Sequence, residues 1–304
     1  MDVAVKLFVT GGAGFLGRKI CAAALSAGHE VVAMSRHPER VKGLPAGVTL
    51  VAGELTNQEQ LSALFKTAHP DTVIHGAAVV TDDDPQLRPV NVGGTQALIT
   101  ALQAQYQTPR LALISTFAVE DIPPTAYSES KREAEELVKS SGLAHVIMRP
   151  SLIYGPGDST NTPALVTRMQ DGSHWIPAGG LTRIQPVFVE DAAAAVVTAA
   201  TLSAVSGQVF RLGGPEPVSV RAYREAVRDA TGGRAVVRTI PLGLMGLAAQ
   251  LLATVGKTGA QQVVRFHRAD HAVDIENSRR ELGFSPRSLA AGLAATFSER
   301  PSAR

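Results

Sequence analysis

The sequence lacks the features that mark several specialised classes of protein. It contains a single cysteine, Cys21, so no disulfide can form within one chain, which suits a reducing, cytoplasmic compartment. Its 29 basic and 27 acidic residues leave a net charge of +2, too little to recruit nucleic acid or an anionic membrane by a strong field. We therefore expect a cytoplasmic protein with no nucleic-acid partner.

Signals for export or membrane insertion are also missing. The stretch Met1–Val9 has no charged head, apolar centre or small-residue cleavage site, so we expect no signal peptide. Thr239–Gly256 carries no charge and is about as long as the shortest membrane-spanning helix. Because Pro241 and two interior glycines shorten its apolar core, we interpret it as a helix over a binding pocket, with no integral membrane segment. A peripheral membrane contact is the alternative.

Short apolar runs alternate with stretches of helical periodicity over the first half of the chain. The predicted strands are Val3–Val9, Glu30–Ser35, Val48–Ala52, Thr72–His75, Leu111–Ser115 and Ala144–Met148. The predicted helices between them are Gly14–Gly28, Asn57–Lys66, Leu87–Gln105 and Thr125–Gly142. This alternation predicts an α/β fold, a Rossmann-type doubly wound parallel sheet with helices on both faces.

A glycine-rich turn joins the first predicted strand to the first helix. The spacings Gly12-x-Gly14-x-x-Gly17 and Gly11-x-x-Gly14-x-x-Gly17 both fit a dinucleotide-binding turn. Missing side chains let backbone N–H groups approach a pyrophosphate, and the helix N-terminus faces its negative charge. An ordinary glycine turn is the alternative, but the position between strand and helix favours a dinucleotide site.

The end of the second predicted strand bears on the choice of cofactor. An acidic residue there binds the ribose 2′-hydroxyl of NAD, whereas this chain has Ser35 and Arg36. Arg36 can pair with a 2′-phosphate, Ser35 can donate a further hydrogen bond, and Arg40 lies one helical turn further on. We therefore predict that NADP(H) is preferred, with NAD(H) still usable. The alternative is that Arg36 is a solvated surface arginine.

The pattern becomes irregular and rich in glycine and proline after Gly155. The elements predicted there are the helices Asp191–Leu202, Val218–Thr231 and Ser288–Glu299 and the strand Gln208–Leu212. We expect residues 1–155 to form an NADP-binding Rossmann domain, with residues 184–204 returning to it. Residues 156–304 are expected to form mainly a smaller, mixed substrate-binding lobe.

A tyrosine and a lysine lie four residues apart in the predicted helix after the fifth strand. This spacing puts Tyr127 and Lys131 on one helix face, where a lysine cation is expected to lower the pKa of the phenol. Tyr127 then becomes a general acid/base near neutral pH. Ser115 and Thr116 end the fifth strand at the carboxyl edge, where ligands bind. Tyr and Lys at this spacing also occur by chance, so the hypothesis depends on their position.

These motifs together resemble the extended short-chain dehydrogenases/reductases, which are similar to the NAD-dependent epimerases/dehydratases. The resemblance covers nearly the whole chain, and its pieces come in the order of that family. Besides Ser115-Thr116 and the Tyr127/Lys131 pair, the matching segments are Thr10–Gly17, Gly53–Thr56, Val73–Ala78, Asn91–Thr95, Arg149–Pro156 and Pro186–Ala192.

The resemblance implies an oxidoreductase and assigns roles to single residues. Thr116 would take the catalytic hydroxyl role, because it lies three residues before Val119, as the second serine does in the Ser-Ser-x-x-Val pattern of that family. Ser115 is the alternative. Lys131 would also hold the nicotinamide ribose, and Asn91 would support the site through the central helix. The residues expected to bind the cofactor are Gly11, Gly14, Phe15, Leu16, Gly17, Ser35, Arg36, Glu54, Leu55, Ala77, Ala78, Ser115, Tyr127, Lys131, Pro150 and Ile153.

The segment after the sixth strand bears on the substrate. Family members that act on nucleotide sugars resemble Arg-x-x-Asn-Val-Tyr-Gly-Pro, but Leu152 stands where that asparagine would be. Arg149–Pro156 looks more like the 3-beta-hydroxysteroid dehydrogenase and dihydroflavonol reductase branches, and Asp274–Pro286 resembles their closing segment. We expect a small-molecule substrate, an apolar ketone or secondary alcohol. A nucleotide-sugar epimerase or dehydratase and a non-catalytic NADP-sensing protein are the alternatives.

Two further expectations concern metals and assembly. His267 and His271 have helical ligand spacing, but we interpret them as part of a solvated face and expect no metal site. Family members often dimerise through the helices equivalent to Leu87–Gln105 and Thr125–Gly142. The resemblance therefore leaves a homodimer open.

Overall fold

The computed structural model describes residues 4–121, 124–159, 161–253, 263–264 and 266–298. The chain divides into two compact units. The first unit contains Met1–Pro150, Val189–Leu212 and Ile275–Phe284, and the second contains Ser151–Phe188, Gly213–Asp274 and Ser285–Arg304.

The strands and helices follow one another along both units. The strands are β1 (Lys6–Thr10), β2 (Glu30–Ser35), β3 (Thr49–Ala52), β4 (Thr72–His75), β5 (Arg110–Ile114), β6 (His145–Pro150), β7 (Ile153–Tyr154), β8 (Ser173–Pro177), β9 (Arg183–Ile184), β10 (Val187–Phe188), β11 (Val209–Leu212), β12 (Val218–Ser219) and β13 (Val236–Ile240). The α-helices are α1 (Phe15–Ser26), α2 (Gln58–Ala68), α3 (Gly94–Gln103), α4 (Ala126–Ser140), α5 (Asn161–Met169), α6 (Val189–Thr201), α7 (Val220–Ala230), α8 (Leu242–Ala253), α9 (Glu276–Leu282) and α10 (Leu289–Phe297).

The first unit is built on one seven-stranded parallel sheet. Its strand order is β11-β6-β5-β4-β1-β2-β3, and the chain reverses its direction of travel between β1 and β4. Such a reversal opens a crevice at the carboxyl ends of the strands, where ligands bind in doubly wound sheets. The predicted Rossmann-type parallel sheet is therefore confirmed.

Helices cover both faces of this sheet, which explains why the middle residues of its central strands, such as Leu7–Val9 and Leu111–Leu113, are apolar and buried. On one face α1 packs against α6, and on the other α2, α3 and α4 pack in succession. Phe8 of β1 meets Phe65 of α2 edge to face, with ring centroids 5.0 Å apart. Because strands buried on both faces cannot alternate polar with apolar residues, short continuous apolar runs marked them in the sequence.

The central helix differs from its prediction at its start. The predicted Leu87–Gln105 begins as a π-helical turn, Pro89–Gly93, and becomes α-helical only at Gly94. Pro89 brings no N–H donor, and Thr95 Oγ1 donates to the Asn91 carbonyl oxygen at 2.6 Å. Both features disturb the regular hydrogen-bond ladder of the helix.

In the part of the second unit that the structure describes, the sheets are short and two-stranded. β7 pairs with β10 and β8 with β13, both in parallel, while β9 and β12 are antiparallel. Its core surrounds Tyr154, with Phe188 at 5.7 Å and Tyr223 at 6.3 Å between ring centroids, and includes Leu293.

Two predicted helices in the second unit are corrected. Val218 and Ser219 form a strand, and Ser219 then caps α7 by accepting a hydrogen bond from Ala222 N at 3.0 Å. Thr239–Gly256 is likewise the end of β13 followed by α8 from Leu242, and residues 254–256 lie outside the described residues. No helix in the part of the chain that the structure describes is long and apolar enough to cross a membrane.

The histidine pair at helical spacing also needs a correction. His267 is buried, and its Nδ1 lies 3.1 Å from Thr182 Oγ1, so it does not belong to a solvated face. His271 Nε2 lies 3.0 Å from the Phe266 carbonyl oxygen. Among the described residues, no group of three or more His, Cys, Asp or Glu side chains could hold a metal ion.

Candidate active site

A groove of about 280 Å³ lies at the crevice between β1 and β4. Its lining includes eight of the residues that the motifs predict to bind a cofactor. They are Gly11, Gly14, Ser35, Arg36, Glu54, Leu55, Ala77 and Ala78. A larger groove of about 500 Å³ opens near the amino end of β2, and no predicted site residue lines it. We therefore place the candidate site at the smaller groove.

The glycine turn brings backbone close to this groove. Gly11 has a φ of +73°, and a Cβ there would lie 2.7 Å from Ala77 N. A Cβ on Gly17 would clash with the carbonyl oxygen of Gly11. Gly14 is the N-cap of α1 and offers no side-chain hydrogen bond, and the first turn of α1, which includes Phe15 and Leu16, carries no acid. The free N–H groups and the helix dipole at this end fit the pyrophosphate of a dinucleotide.

The rim of the groove carries one cation and one anion. The Arg36 side chain is 66% exposed, and its Nε lies 4.0 Å from Glu54 Oε2. Ser35 Oγ accepts a hydrogen bond from His37 N at 3.2 Å. Arg40 pairs instead with Glu39 at 3.5 Å. A 2′-phosphate at this rim would therefore meet Arg36 and Ser35 together with a nearby carboxylate.

The helix that carries Tyr127 and Lys131 is held firmly at its N-terminus. Thr125 and Ser128 form a capping box, with Ser128 N donating to Thr125 Oγ1 at 3.1 Å. Asp82 Oδ1 accepts a hydrogen bond from the backbone N of Tyr127 at 2.7 Å. Asp82 therefore satisfies a backbone N–H in the first turn of this helix from a loop 45 residues earlier in the chain.

Burial dominates the titration of both predicted catalytic side chains on α4. Burial raises the pKa of Tyr127 to about 12, and a hydrogen bond with Thr116 opposes that rise. Burial lowers the pKa of Lys131 to about 8, against the attraction of Glu135. The expectation that Lys131 lowers the pKa of Tyr127 is wrong for this structure, because desolvation of the phenol raises that pKa. The Lys131 ammonium donates to the Ile114 carbonyl oxygen at 2.7 Å.

The two candidate hydroxyls at the end of β5 have different partners. Ser115 is buried, and its Oγ donates to Glu135 Oε1 at 2.6 Å. Thr116, half-buried, is the hydroxyl that interacts with Tyr127. The structure therefore brings Thr116 together with Tyr127 and turns Ser115 toward the interior.

Asn91 ties the loop after β4 to the Tyr127 helix. Its Oδ1 accepts from Val79 N at 2.8 Å, and its Nδ2 donates to Val79 O at 2.8 Å and to Ser130 Oγ at 2.9 Å. Ser130 Oγ in turn donates to the Tyr127 carbonyl oxygen at 2.7 Å. Asn91 is thus a buried link between the groove and the helix of Tyr127.

A buried histidine extends this link to the glycine turn. His75 Nδ1 lies 2.8 Å from Thr10 Oγ1, and Nε2 lies 3.0 Å from the Thr95 hydroxyl that also bonds Asn91. Burial, followed by the charge of Lys131, lowers the pKa of His75 to about 3. His75 is therefore neutral, and it joins the turn before Gly11 to the central helix.

The last two predicted cofactor contacts belong to different units. Pro150 ends β6 in the first unit, and Ile153 begins β7 in the second unit. The side chains that sequence reasoning did not assign to the site are Thr10, His75, Asp82, Thr95, Ser130 and Glu135. Glu135 carried one usable signal, since an acid four residues after a lysine lies on the same helix face.

Comparison with known proteins gives concordant matches. The model of the NAD dependent epimerase/dehydratase family matches residues 7–213. The 2-alkyl-3-oxoalkanoate reductase of Stenotrophomonas maltophilia (strain K279a) is 27% identical, over 95% of this chain and 97% of that protein. The 3 beta-hydroxysteroid dehydrogenase/Delta 5-->4-isomerase of Mycobacterium tuberculosis (strain ATCC 25618 / H37Rv) is 27% identical, over 92% and 86%. The solved UDP-glucose 4-epimerase of Thermus thermophilus in complex with NAD is 23% identical and superimposes with a TM-score of 0.75, over 96% and 97%.

Proposed function

The chain belongs to the NAD-dependent epimerase/dehydratase family, and from that premise we propose that it is an NADP(H)-dependent ketoreductase acting on an apolar ketone. As an NAD(P)-dependent enzyme it needs a dinucleotide site and a proton donor. The observation that carries the proposal is the meeting of Thr116, Tyr127 and Lys131 at the carboxyl edge of the sheet that also forms the dinucleotide groove.

The names of two relatives support the reaction class. One is a reductase of 2-alkyl-3-oxoalkanoates, and the other is a hydroxysteroid dehydrogenase. Both names describe a keto or hydroxyl group on a largely apolar skeleton. We therefore propose a ketone with an alkyl or polycyclic skeleton as the substrate of this chain.

In the proposed reaction, the bound cofactor supplies a hydride donor at its reduced nicotinamide. Tyr127 donates its phenolic proton to the substrate oxygen, and the Thr116 hydroxyl orients that oxygen. A pKa near 12 keeps Tyr127 protonated at neutral pH, which suits a proton donor for ketone reduction. Lys131, one helical turn after Tyr127 on α4, would hold the nicotinamide ribose of the bound cofactor.

The residues around the groove would hold the cofactor. The turn from Gly11 to Gly17 would bind the pyrophosphate through backbone N–H groups, and Arg36 would bind a 2′-phosphate. Glu54, 4.0 Å from Arg36, weakens the positive field at that point. We therefore propose a preference for NADP(H) that is moderate, with NAD(H) still accepted.

A nucleotide-sugar epimerase is the second candidate, favoured by the family name and by the fold shared with the UDP-glucose 4-epimerase. An epimerase returns its cofactor to the starting redox state, so it consumes no free NADPH. Leu152 stands where family members that act on nucleotide sugars have an asparagine, and this difference favours the ketoreductase.

The deciding experiment is a screen for consumption of NADPH. Purified protein is mixed with NADPH and a panel of 2-alkyl-3-oxo compounds and steroid ketones, and nicotinamide absorbance is followed. We expect oxidation of NADPH with at least one ketone and none with the Tyr127→Phe variant. Epimerisation of UDP-glucose without any NADPH oxidation would overturn the proposal, and so would NADPH binding with no turnover of either substrate class, which would identify a cofactor sensor.

Three further proposals concern organisation. We propose that residues 1–155 and 184–204 serve the cofactor and that residues 156–304 mainly serve the substrate. We also propose a cytoplasmic location, because one cysteine suits a reducing compartment.

The third proposal is a homodimer that forms through α3 and α4. Light scattering after size-exclusion chromatography tests it, and the mass of a single chain would contradict it.

A further inference from the structure

Glu135 is a fully buried carboxylate on α4, one helical turn after Lys131. It accepts a hydrogen bond from Ser115 Oγ at 2.6 Å. Arg149 of β6 donates two hydrogen bonds to the Glu135 carboxylate, from Nε to Oε1 at 2.8 Å and from Nη2 to Oε2 at 2.6 Å. Lys139 Nζ lies 3.5 Å from Oε2 at the solvent side. Glu135 thus joins α4 to the ends of β5 and β6.

Arg149 also forms a hydrogen bond with a second carboxylate, that of Glu120. Its other amino group donates to Glu120 Oε1 at 2.7 Å, and Arg211 Nε donates to the same oxygen at 2.8 Å. The two carboxylates therefore share the Arg149 charge, so Glu135 keeps part of its negative field. Removing one partner of such a buried pair leaves a charge without compensation, which is costly.

Lys131 is the cation that this field reaches inside the site. It is buried, and its ammonium has a neutral acceptor, the Ile114 carbonyl oxygen. The other titratable groups that interact with or lie near it are His75, which is neutral, and Tyr127, which is protonated. Glu135 is the charge that favours the ammonium form against the cost of burial.

We propose that Glu135 is a positioning residue of the active site, which turns Ser115 inward beside Thr116 and holds Lys131 in its cationic form. The two effects act through different contacts. The hydrogen bond to Ser115 fixes the end of β5, while the charge acts along α4. The link to catalysis rests on the proposed function, but the effect on Lys131 does not.

The test measures Lys131 directly in the cofactor-free protein. Protein labelled with 13Cε-lysine is titrated by NMR, and the Lys131 signal is identified by its absence in Lys131→Arg. We expect a midpoint near pH 8 in the unchanged protein. Glu135→Gln removes the charge and keeps the shape, so we expect the midpoint to fall by at least one pH unit, a tenfold loss of proton affinity.

Glu136→Gln is the matched control, since Glu136 is the next residue on α4, is exposed and pairs with Lys139 at 2.7 Å. We expect its midpoint to stay within about 0.2 pH units of the unchanged protein, because water screens exposed charges. A midpoint that moves equally in both variants, or in neither, overturns the proposal.

A surface variant keeps the proposal testable if Glu135→Gln does not fold. Lys139→Gln removes the partly exposed cation beside Glu135 and leaves the buried contacts in place. The Glu135 field at Lys131 then grows, so we expect the midpoint to rise, the opposite direction from Glu135→Gln. A fall would contradict the assignment.

Activity gives the second readout. We expect the alkaline limb of the kcat/KM profile for ketone reduction to move down by about one pH unit in Glu135→Gln and to return in Glu135→Asp, which restores the charge. If the NMR midpoint moves and no ketone is reduced by any variant, the positioning role stands and the proposed function fails. An NMR midpoint that does not move sinks the positioning role whatever the activity.

Discussion

Arg36 Nε and Glu54 Oε2 lie 4.0 Å apart on the rim of the groove between β1 and β4, so a cofactor bound there as proposed would meet a cation and an anion together. Neither charge alone predicts the cofactor preference. The two side chains act in opposite directions on a 2′-phosphate, and each can be removed separately.

Arg36→Ala is expected to weaken NADPH binding by about 10- to 100-fold, because hydrogen bonds to charged groups contribute about 1.5–3 kcal/mol. NADH has no 2′-phosphate, so its dissociation constant is expected to stay within a factor of about three. Fluorescence titration with each nucleotide measures both values. Arg40→Ala is the control, since Arg40 pairs with Glu39. Equal losses for NADPH and NADH would contradict the role of Arg36.

Glu54→Gln is expected to act the other way. It removes a carboxylate beside the proposed phosphate position, which is worth about 1 kcal/mol at 4 Å in water, or about fivefold tighter NADPH binding. The same titration detects it. Weaker binding of NADPH in this variant would mean that Glu54 serves the cofactor as a hydrogen-bond acceptor.

Tyr127→Phe is expected to lower kcat for ketone reduction by about 10²–10⁴-fold, because it removes the proton donor. The cofactor dissociation constant should change little, since the variant keeps the ring. Tyr106→Phe is the matched control, as Tyr106 is fully exposed. Stopped-flow measurement of a single turnover isolates the chemical step, and a Tyr127→Phe variant that retains most of this rate would exclude Tyr127 as the donor.

The lowered pKa of the buried His75 side chain predicts that the protein loses stability in acid. Burial lowers its pKa to about 3, whereas a histidine of the unfolded chain titrates near 6.5. Between these values only the unfolded chain binds the proton, so His75 contributes stability that is present above pH 6.5 and is lost as the pH falls toward 3. The free energy of unfolding should fall by about 1.4 kcal/mol for each pH unit from this group.

Urea unfolding between pH 4 and pH 7 measures that slope. Relative to the unchanged protein, His75→Gln should flatten it, whereas His37→Gln should leave it unchanged because His37 is exposed. Parallel curves for His75→Gln and the unchanged protein would show that the buried histidine is not the source of the acid sensitivity.

Local patterns in the sequence determined the fold class and the candidate residues. Short apolar runs and helical periodicity predicted the strands of the seven-stranded sheet, because a strand buried on both faces must be apolar. The glycine spacing from Gly11 to Gly17 and the four-residue step from Tyr127 to Lys131 could also be recognised in the sequence, because each depends on geometry within one turn or one helix.

Only the tertiary structure decided how those residues interact. Thr10 and His75 are 65 residues apart, Asp82 and Tyr127 are 45 apart, and Ser115 and Glu135 are 20 apart, yet each pair is hydrogen-bonded. The choice between Ser115 and Thr116 as the hydroxyl beside Tyr127 depends on the Glu135 contact. The direction of the Tyr127 pKa shift depends on burial. Both follow from how α4 packs on the sheet, and residue spacing along the chain carries no measure of desolvation.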